Sequence, residues 1–179
     1  MGSAASSYVW SMRGVYLLLA CLVLFLQLLP LETAPRGWVG PDLLLALTFA
    51  WVARRPDLAP VWAVAGMLLL SDLLLQRPPG LWSALALIAA EALRARTDDF
   101  RDMPFTFEWL IVASFLLGLY LAYMLAWSVL VPFDIAYGLL ALQMALTILA
   151  YPFVVAFSGW LLGVAKAAPG QTDAQGRKL

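Results

Sequence analysis

The sequence contains no histidine, one cysteine and few charged residues, and each shortage excludes a class of function. Without histidine, the commonest metal ligand and the commonest general base are both missing. The single cysteine, Cys21, cannot form an internal disulfide, and in its apolar run it is read most simply as a small packed residue. Charged residues make up only 12% of the 179 residues, about half their share in soluble domains.

The charge balance and the motifs point away from nucleic acids and from catalysis. The net charge is zero, so electrostatics gives no support to binding nucleic acid. There is no G-x-S-x-G, no H-E-x-x-H, no phosphate loop and no cluster of cysteine and histidine. We therefore expect a protein that is not an enzyme and that needs neither a metal nor another cofactor.

What the sequence does contain is a succession of apolar runs separated by proline and glycine, and 64% of its residues are hydrophobic. A helix that crosses the bilayer needs about 20 mostly apolar residues. The runs predict one all-α integral membrane domain with six transmembrane helices, in which the second and fourth are short enough to be partial spans buried among the others. The predicted spans are residues 13–31, 39–54, 58–76, 80–96, 107–131 and 134–165, and residues 166–179 are predicted to form a flexible cytoplasmic tail.

The distribution of lysine and arginine orients this six-span arrangement. If the N-terminus is cytoplasmic, nine of the 11 basic residues fall on the cytoplasmic side and only Arg36 and Arg77 fall outside. Cytoplasmic loops carry such an excess of basic residues, so both termini are predicted to be cytoplasmic. All eight tryptophans lie near predicted span ends, where the amphipathic indole ring is favoured.

Asp72 is the most informative polar residue, because it interrupts the third apolar run. A span that starts near Leu58 places Asp72 about 21 Å along its axis, toward the outer leaflet. There the carboxylate either pairs with Arg77 across the turn or makes a fixed polar contact with another helix or a partner protein, and the two interpretations are compatible. Glu91 and Arg94 are spaced to form an i,i+3 pair on one helix.

Small residues recur at fourfold spacing on the last two spans. Ser114, Gly118, Ala122 and Ala126 share one slowly drifting face of the fifth span, and Gly159 and Gly163 have the same relation on the sixth. Small residues at this spacing let two membrane helices approach closely. These positions are predicted to pack either within the protein or against a helix of a partner.

The stretch around Asp72 resembles the rod shape-determining protein MreD family. The family has an aspartate late in its third helix, followed by small residues and Gly-Leu before the fourth helix. The matching residues here are Asp72-Leu73-Leu74-Leu75 and Pro79-Gly80-Leu81-Trp82, and they continue with Glu91-Ala92-Leu93-Arg94 and Phe107-Glu108-Trp109. The chain departs from the family at Gln76, where a glycine is often found, and this departure concerns the geometry of the turn.

The resemblance implies a non-catalytic scaffold of the bacterial cell-elongation complex in the inner membrane. Such proteins bind MreC and, through it, are associated with MreB filaments, RodA and a class B penicillin-binding transpeptidase in peptidoglycan synthesis. The corner that contains Asp72, Arg77 and Gly80 would then be a structural and partner-contact site. The implied fold is similar to the six-helix substrate-binding subunits of energy-coupling-factor transporters.

That similarity of fold supplies the alternative function, a small-molecule-binding membrane subunit of a transporter. Such subunits resemble one another in an Ala-x-x-x-Ala docking motif on the first helix. The run from Gly14 to Leu29 lacks this motif, which favours the scaffold.

Overall fold

The computed structural model describes residues 2–29, 39–100, 103–130 and 137–164. Within these ranges every regular element is helical. The α-helices are α1 (Gly2–Leu28), α2 (Leu43–Arg54), α3 (Val61–Leu74), α4 (Leu81–Arg94), α5 (Phe105–Leu130) and α6 (Tyr137–Leu162), and a short 3-10 helix covers Thr97–Phe100. The predicted tail, residues 166–179, lies outside the described residues.

The helices fall into two length classes. With 27, 26 and 26 residues, α1, α5 and α6 are long and apolar enough to cross a membrane. In contrast, α2, α3 and α4 have 12, 14 and 14 residues, which is about 18–21 Å of helix against a hydrocarbon core of about 30 Å. The all-helical prediction is confirmed, and three of the six predicted spans have the length and composition of a membrane-crossing helix.

The predicted boundaries agree with the helices to within a few residues, except at the start of the chain. The first helix begins at Gly2, well before the predicted residue 13, because the small and polar residues ahead of Arg13 continue the same helix. The short helices α2, α3 and α4 lie inside their predicted spans. Each starts late because a breaker stands just before it: Pro60 and Gly80 directly precede α3 and α4, and Pro41 lies two residues before the start of α2.

The second helix is the centre of the core. Every residue from Leu44 to Ala53 is buried, and α2 packs against α1, α4, α6 and the 3-10 helix. A helix that is apolar all round needs such an enclosed position. Its few polar atoms are satisfied by neighbours, since Tyr16 on α1 hydrogen-bonds Thr48 at 3.0 Å and the indole of Trp51 donates to Ser158 on α6 at 3.2 Å.

The remaining helices pack around this centre. Contacts join α1 to α3, α3 to α4, α4 to α5 and α5 to α6. The outward faces of the long helices are apolar, with Leu125 and Phe153 69% and 76% exposed. Apolar residues on the outer surface together with buried polar residues inside are typical of a protein that faces lipid.

Arginine side chains hold the loop between α2 and α3 in place through hydrogen bonds. Arg94 forms the predicted pair with Glu91 at 3.0 Å, and it also donates to the carbonyls of Pro56 and Ala59, each at 2.6 Å. Arg94 thereby supplies hydrogen-bond donors to carbonyl groups that lie in the loop, outside the hydrogen-bond pattern of a helix.

The same link contains a second, local ion pair. Arg55 lies 2.9 Å from a carboxylate oxygen of Asp57, and this hydrogen bond raises the pKa of Arg55 above its usual value. Since that usual value is already strongly alkaline, Arg55 stays charged throughout the physiological pH range. Arg13 on α1 joins this link by donating to the carbonyl of Asp57 at 3.0 Å.

Candidate functional site

The turn between α3 and α4 uses two left-handed backbone conformations. Gln76 has a φ of 54° and Gly80 a φ of 90°. Next to Gln76, the amide of Arg77 donates to the carbonyl of Asp72 at 3.0 Å, which closes the helix end as in a Schellman motif. Glycine adopts a positive φ without strain, whereas a glutamine there costs on the order of 1 kcal/mol. The position at which the chain departs from the MreD pattern is therefore a strained one.

Asp72 is completely buried, and its carboxylate caps the start of α4. One oxygen, Oδ2, accepts hydrogen bonds from the amide of Gly80 at 3.1 Å and from the amide of Ser83 at 3.0 Å. Gly80 is the N-cap residue of α4 and has no side chain to satisfy these amides. The carboxylate also places negative charge at the positive end of the helix dipole. This is a fixed polar contact between two helices, one of the two interpretations of Asp72 that the sequence leaves open.

The second oxygen of the same carboxylate is placed differently. Asp72 Oδ1 and the hydroxyl of Ser83 are both buried, and neither makes a hydrogen bond within the described part of the chain. A carboxylate oxygen accepts hydrogen bonds, and a serine hydroxyl both donates and accepts them. These two atoms could therefore hold a small polar group. Among the described residues, no three Asp, Glu or Cys side chains are grouped as metal ligands would be.

Arg77 does not pair with Asp72, so the predicted ion pair across the turn is wrong. The guanidinium of Arg77 instead hydrogen-bonds Asp42 at 3.5 Å and lies 4.9 Å from the ring centre of Trp82. The reason is the turn itself, because the carboxylate of Asp72 is directed at the amides of α4. Arg77 is thereby free to reach the start of α2.

Asp42 is the residue of this region that the sequence analysis missed. Its carboxylate accepts from the amide of Leu45 at 3.0 Å, as an N-cap does, and its own amide donates to the hydroxyl of Thr147 on α6 at 2.9 Å. The signal was present, since a Pro-Asp pair directly before an apolar run marks a helix start. Asp42 joins α2 and α6 to Arg77, in the turn that follows α3.

We refer to Asp42, Asp72, Arg77, Gly80 and Trp82 as the α3–α4 corner. Aromatic rings attach this corner to α5. Trp82 packs edge-on against Tyr120 and Tyr123, with ring centres 5.0 and 4.9 Å apart. Such pairs contribute about 0.5–1.5 kcal/mol each beyond the area that they bury. The corner therefore connects five of the six helices.

A second buried polar cluster, the Arg54 cluster, was not predicted from the sequence. Glu108 on α5 is fully buried and accepts from Arg54 of α2 at 2.9 and 3.4 Å and from the hydroxyl of Tyr151 of α6 at 3.0 Å. A buried carboxylate is tolerated only when charges and hydrogen bonds compensate it. Glu108 is the second residue of the predicted fifth span, 107–131, and nothing in its spacing indicates that it faces inward.

The small residues of α5 lie outside the core. Ser114 and Gly118 are exposed, and Ala122 and Ala126 are half-buried. A Cβ atom added to Gly118 would meet nothing within 4 Å. Of the two predicted uses of this face, packing inside the protein is therefore not the one observed, and the face is open to lipid or to another helix.

The two glycines of α6 have a local role at its end. Gly163 has a φ of 66°, and the next amide, of Val164, donates to the carbonyl of Ser158 at 3.1 Å. This is a glycine helix end, which needs the left-handed conformation. Gly159 lies one turn earlier, and a Cβ there would be 3.9 Å from the carbonyl of Val164. Within the part of the chain that the structure describes, a Cβ on either glycine would meet no other helix.

Comparisons of the chain with protein-family models, with curated proteins and with solved structures find no match. The structure brings Asp72, Arg77 and Gly80 together at the α3–α4 corner, and it places the α5 face and the end of α6 elsewhere. The resemblance to MreD rests on the residues quoted above, and the function that it implies stays a prediction.

Proposed function

We propose that the protein is a non-catalytic scaffold of the bacterial cell-elongation complex in the inner membrane. In this proposal it binds MreC and, through MreC, helps to organise MreB, RodA and a class B penicillin-binding transpeptidase during peptidoglycan synthesis. Six helices lie in the membrane, and both termini are cytoplasmic.

One observation carries the proposal, namely that the residues that resemble MreD act together as a structural unit. Asp72 and Gly80, which are eight positions apart in the sequence, meet in the cap of α4. A glycine with a positive φ cannot cap its own helix with a side chain, so the aspartate and the Gly-Leu pair are required together. The resemblance is thus to a physically linked set of residues, and this linkage supports the proposal.

The use of the buried polar groups also supports a scaffold. The carboxylates of Asp72 and Glu108 each hold one helix to another, and that of Asp42 joins the start of α2 to Arg77 in the turn after α3. Two of them face a guanidinium, and all three accept at least one hydrogen bond. Charges in membrane helices either do chemistry or fix helices against each other, and these contacts are of the second kind.

The exposed α5 face is the proposed contact for MreC. Two small residues one turn apart, Ser114 and Gly118, are uncovered on a helix that is long enough to span the membrane. Since lipid removes the hydrophobic drive between helices, close approach at small residues is the main source of association. A single membrane helix of the partner would lie along this face.

Co-purification with MreC from membranes tests the proposal. Gly118→Leu is expected to lower the recovered MreC at least tenfold, because the leucine side chain holds the partner helix away. Gly66→Leu is the matched control, since Gly66 is also an exposed helical glycine with open space around it, and it should leave recovery unchanged.

Two outcomes of this experiment are informative in different ways. If Gly118→Leu recovers as much MreC as the unchanged protein, the α5 face is not the contact. If the unchanged protein recovers no MreC, and its depletion leaves rod-shaped cells rod-shaped, the scaffold function itself is wrong.

One observation favours the alternative of a small-molecule-binding transporter subunit. The Oδ1 of Asp72 and the hydroxyl of Ser83 are both buried without hydrogen-bond partners within the described ranges, and a polar ligand that reached them would satisfy them. Mass spectrometry of the purified protein distinguishes the two functions. A bound metabolite that is lost in both Asp72→Asn and Ser83→Ala would support the transporter subunit over the scaffold.

A further inference from the structure

Arg96 differs from every other arginine that the structure describes. Arg13, Arg54, Arg55, Arg77 and Arg94 each donate to a carboxylate or a carbonyl group. The side chain of Arg96 is exposed, and within the described ranges it makes neither an ion pair nor a hydrogen bond. Among the described residues, its guanidinium faces an aromatic ring, that of Phe115 on α5, whose centre lies 5.7 Å from the guanidinium carbon.

The position of this contact matters, because it lies beside the membrane-crossing part of α5. Phe115 follows the first residue of α5 by ten positions, about 15 Å of helix. The polar headgroup layer on one side of a bilayer is only about 5–8 Å thick. The side chain of Arg96 therefore reaches from the end of α4 back along α5 toward the boundary between headgroups and hydrocarbon.

The surface next to Arg96 is apolar and open. Ala92 and Ile88 precede Arg96 by one and two turns on α4 and are both exposed. An acyl chain could lie along these residues, where α4 packs against α5.

We propose that Arg96 binds the phosphate of an anionic phospholipid, whose acyl chain lies along the seam between α4 and α5. An unpaired guanidinium at this depth is stabilised best by a phosphate, which it contacts with two parallel N–H donors. Basic pockets between membrane helices bind anionic headgroups in this way. The ring of Phe115 orients the guanidinium through a cation–π contact. The exposed carboxylates of Asp98 and Asp99 follow in the 3-10 helix, and the phosphate competes with them for Arg96.

Native mass spectrometry of the protein released from mixed phosphatidylglycerol and phosphatidylcholine nanodiscs tests the site. Arg96→Gln should lower the ratio of retained phosphatidylglycerol to phosphatidylcholine about fivefold, which corresponds to the ~1 kcal/mol that one basic residue contributes near an anionic surface. Phe115→Leu keeps the charge and loses the ring, so it should lower the ratio about twofold.

Arg55→Gln is the control, because it removes the same charge from a nearby loop where the guanidinium already binds Asp57. It should leave the ratio unchanged. Equal retention by Arg96→Gln and the unchanged protein would overturn the proposal. An equal loss in Arg55→Gln and Arg96→Gln would also overturn it, because the lipid would then respond to overall surface charge and not to a site.

Discussion

At the scale of single residues, the side chain of Asp72 supplies the capping hydrogen bonds of α4, because the N-cap residue, Gly80, has no side chain. The Oδ2 of Asp72 satisfies two amides of α4, and an unsatisfied buried amide costs about 1–3 kcal/mol. Asp72→Ala should therefore lower the free energy of unfolding by about 2–4 kcal/mol. Asp72→Asn keeps an accepting oxygen and loses only the charge, so about half of that loss is expected.

Chemical unfolding of the two Asp72 variants in detergent measures this difference. Asp72→Asn loses only the charge, whereas Asp72→Ala loses both the charge and the accepting oxygen. The difference between the two variants therefore measures the contribution of the acceptor. If the alanine variant unfolds at the same denaturant concentration as the unchanged protein, the carboxylate does not hold α3 to α4.

Gln76 has a backbone conformation that is unfavourable for a residue with a side chain. Its φ of 54° suits glycine, and a side chain there costs on the order of 1 kcal/mol. Gln76→Gly should raise the free energy of unfolding by about 0.5–1 kcal/mol, after the extra freedom of glycine in the unfolded chain is subtracted. Gln76→Ala should change it little, since alanine has the same steric conflict. A glycine variant that is less stable than the alanine variant would show that the turn has another conformation.

At the scale of secondary structure, α2 illustrates what could be predicted and what could not. Its apolar run and the breakers around it predict the helix and its burial among neighbours, and both are observed. The partners of its ends could not be predicted, because Asp42 meets Thr147 across 105 positions and Arg54 meets Glu108 across 54. Periodicity reports which face is apolar, but it does not report which distant polar group will satisfy a helix end.

In the Arg54 cluster, the ion pair between Arg54 and Glu108 should contribute strongly to the free energy of unfolding. Removing one member of a buried pair leaves the other charge uncompensated, at a cost of about 3–5 kcal/mol. Because the side chain of Arg54 is 14% exposed, we expect Glu108→Gln to cost nearer ~3 kcal/mol.

A double variant provides the control for this prediction. Arg54→Met with Glu108→Gln removes both charges, keeps an oxygen that accepts from Tyr151, and should be more stable than Glu108→Gln alone, since no buried charge is then left uncompensated. Unfolding of the single and double variants measures the difference. A double variant that is less stable than the single one would mean that each side chain is held by something other than its partner.

At the scale of the whole molecule, three long and two short helices pack around the short α2, and two polar clusters join long helices to short ones. The six apolar runs were visible in the sequence, and so was the shortness of the second and fourth, whereas the shortness of the third was not. The reason is that an apolar run is the same for a helix that faces lipid and for one that is enclosed by others. The paired carboxylates could not be predicted either, since Asp42 and Glu108 look like ordinary residues of loops and helix starts until the fold brings a guanidinium to each.

The orientation of the whole molecule gives the last prediction. Since nine of 11 basic residues lie at one end of the predicted spans, that end should be cytoplasmic and the α3–α4 turn should be outside. After Cys21→Ser removes the only native thiol, Pro79→Cys should react with a membrane-impermeant maleimide in intact cells. Asp99→Cys should react only after the membrane is opened, although both positions are exposed. The reverse pattern would invert the topology, and it would place the proposed Arg96 lipid site in the outer leaflet.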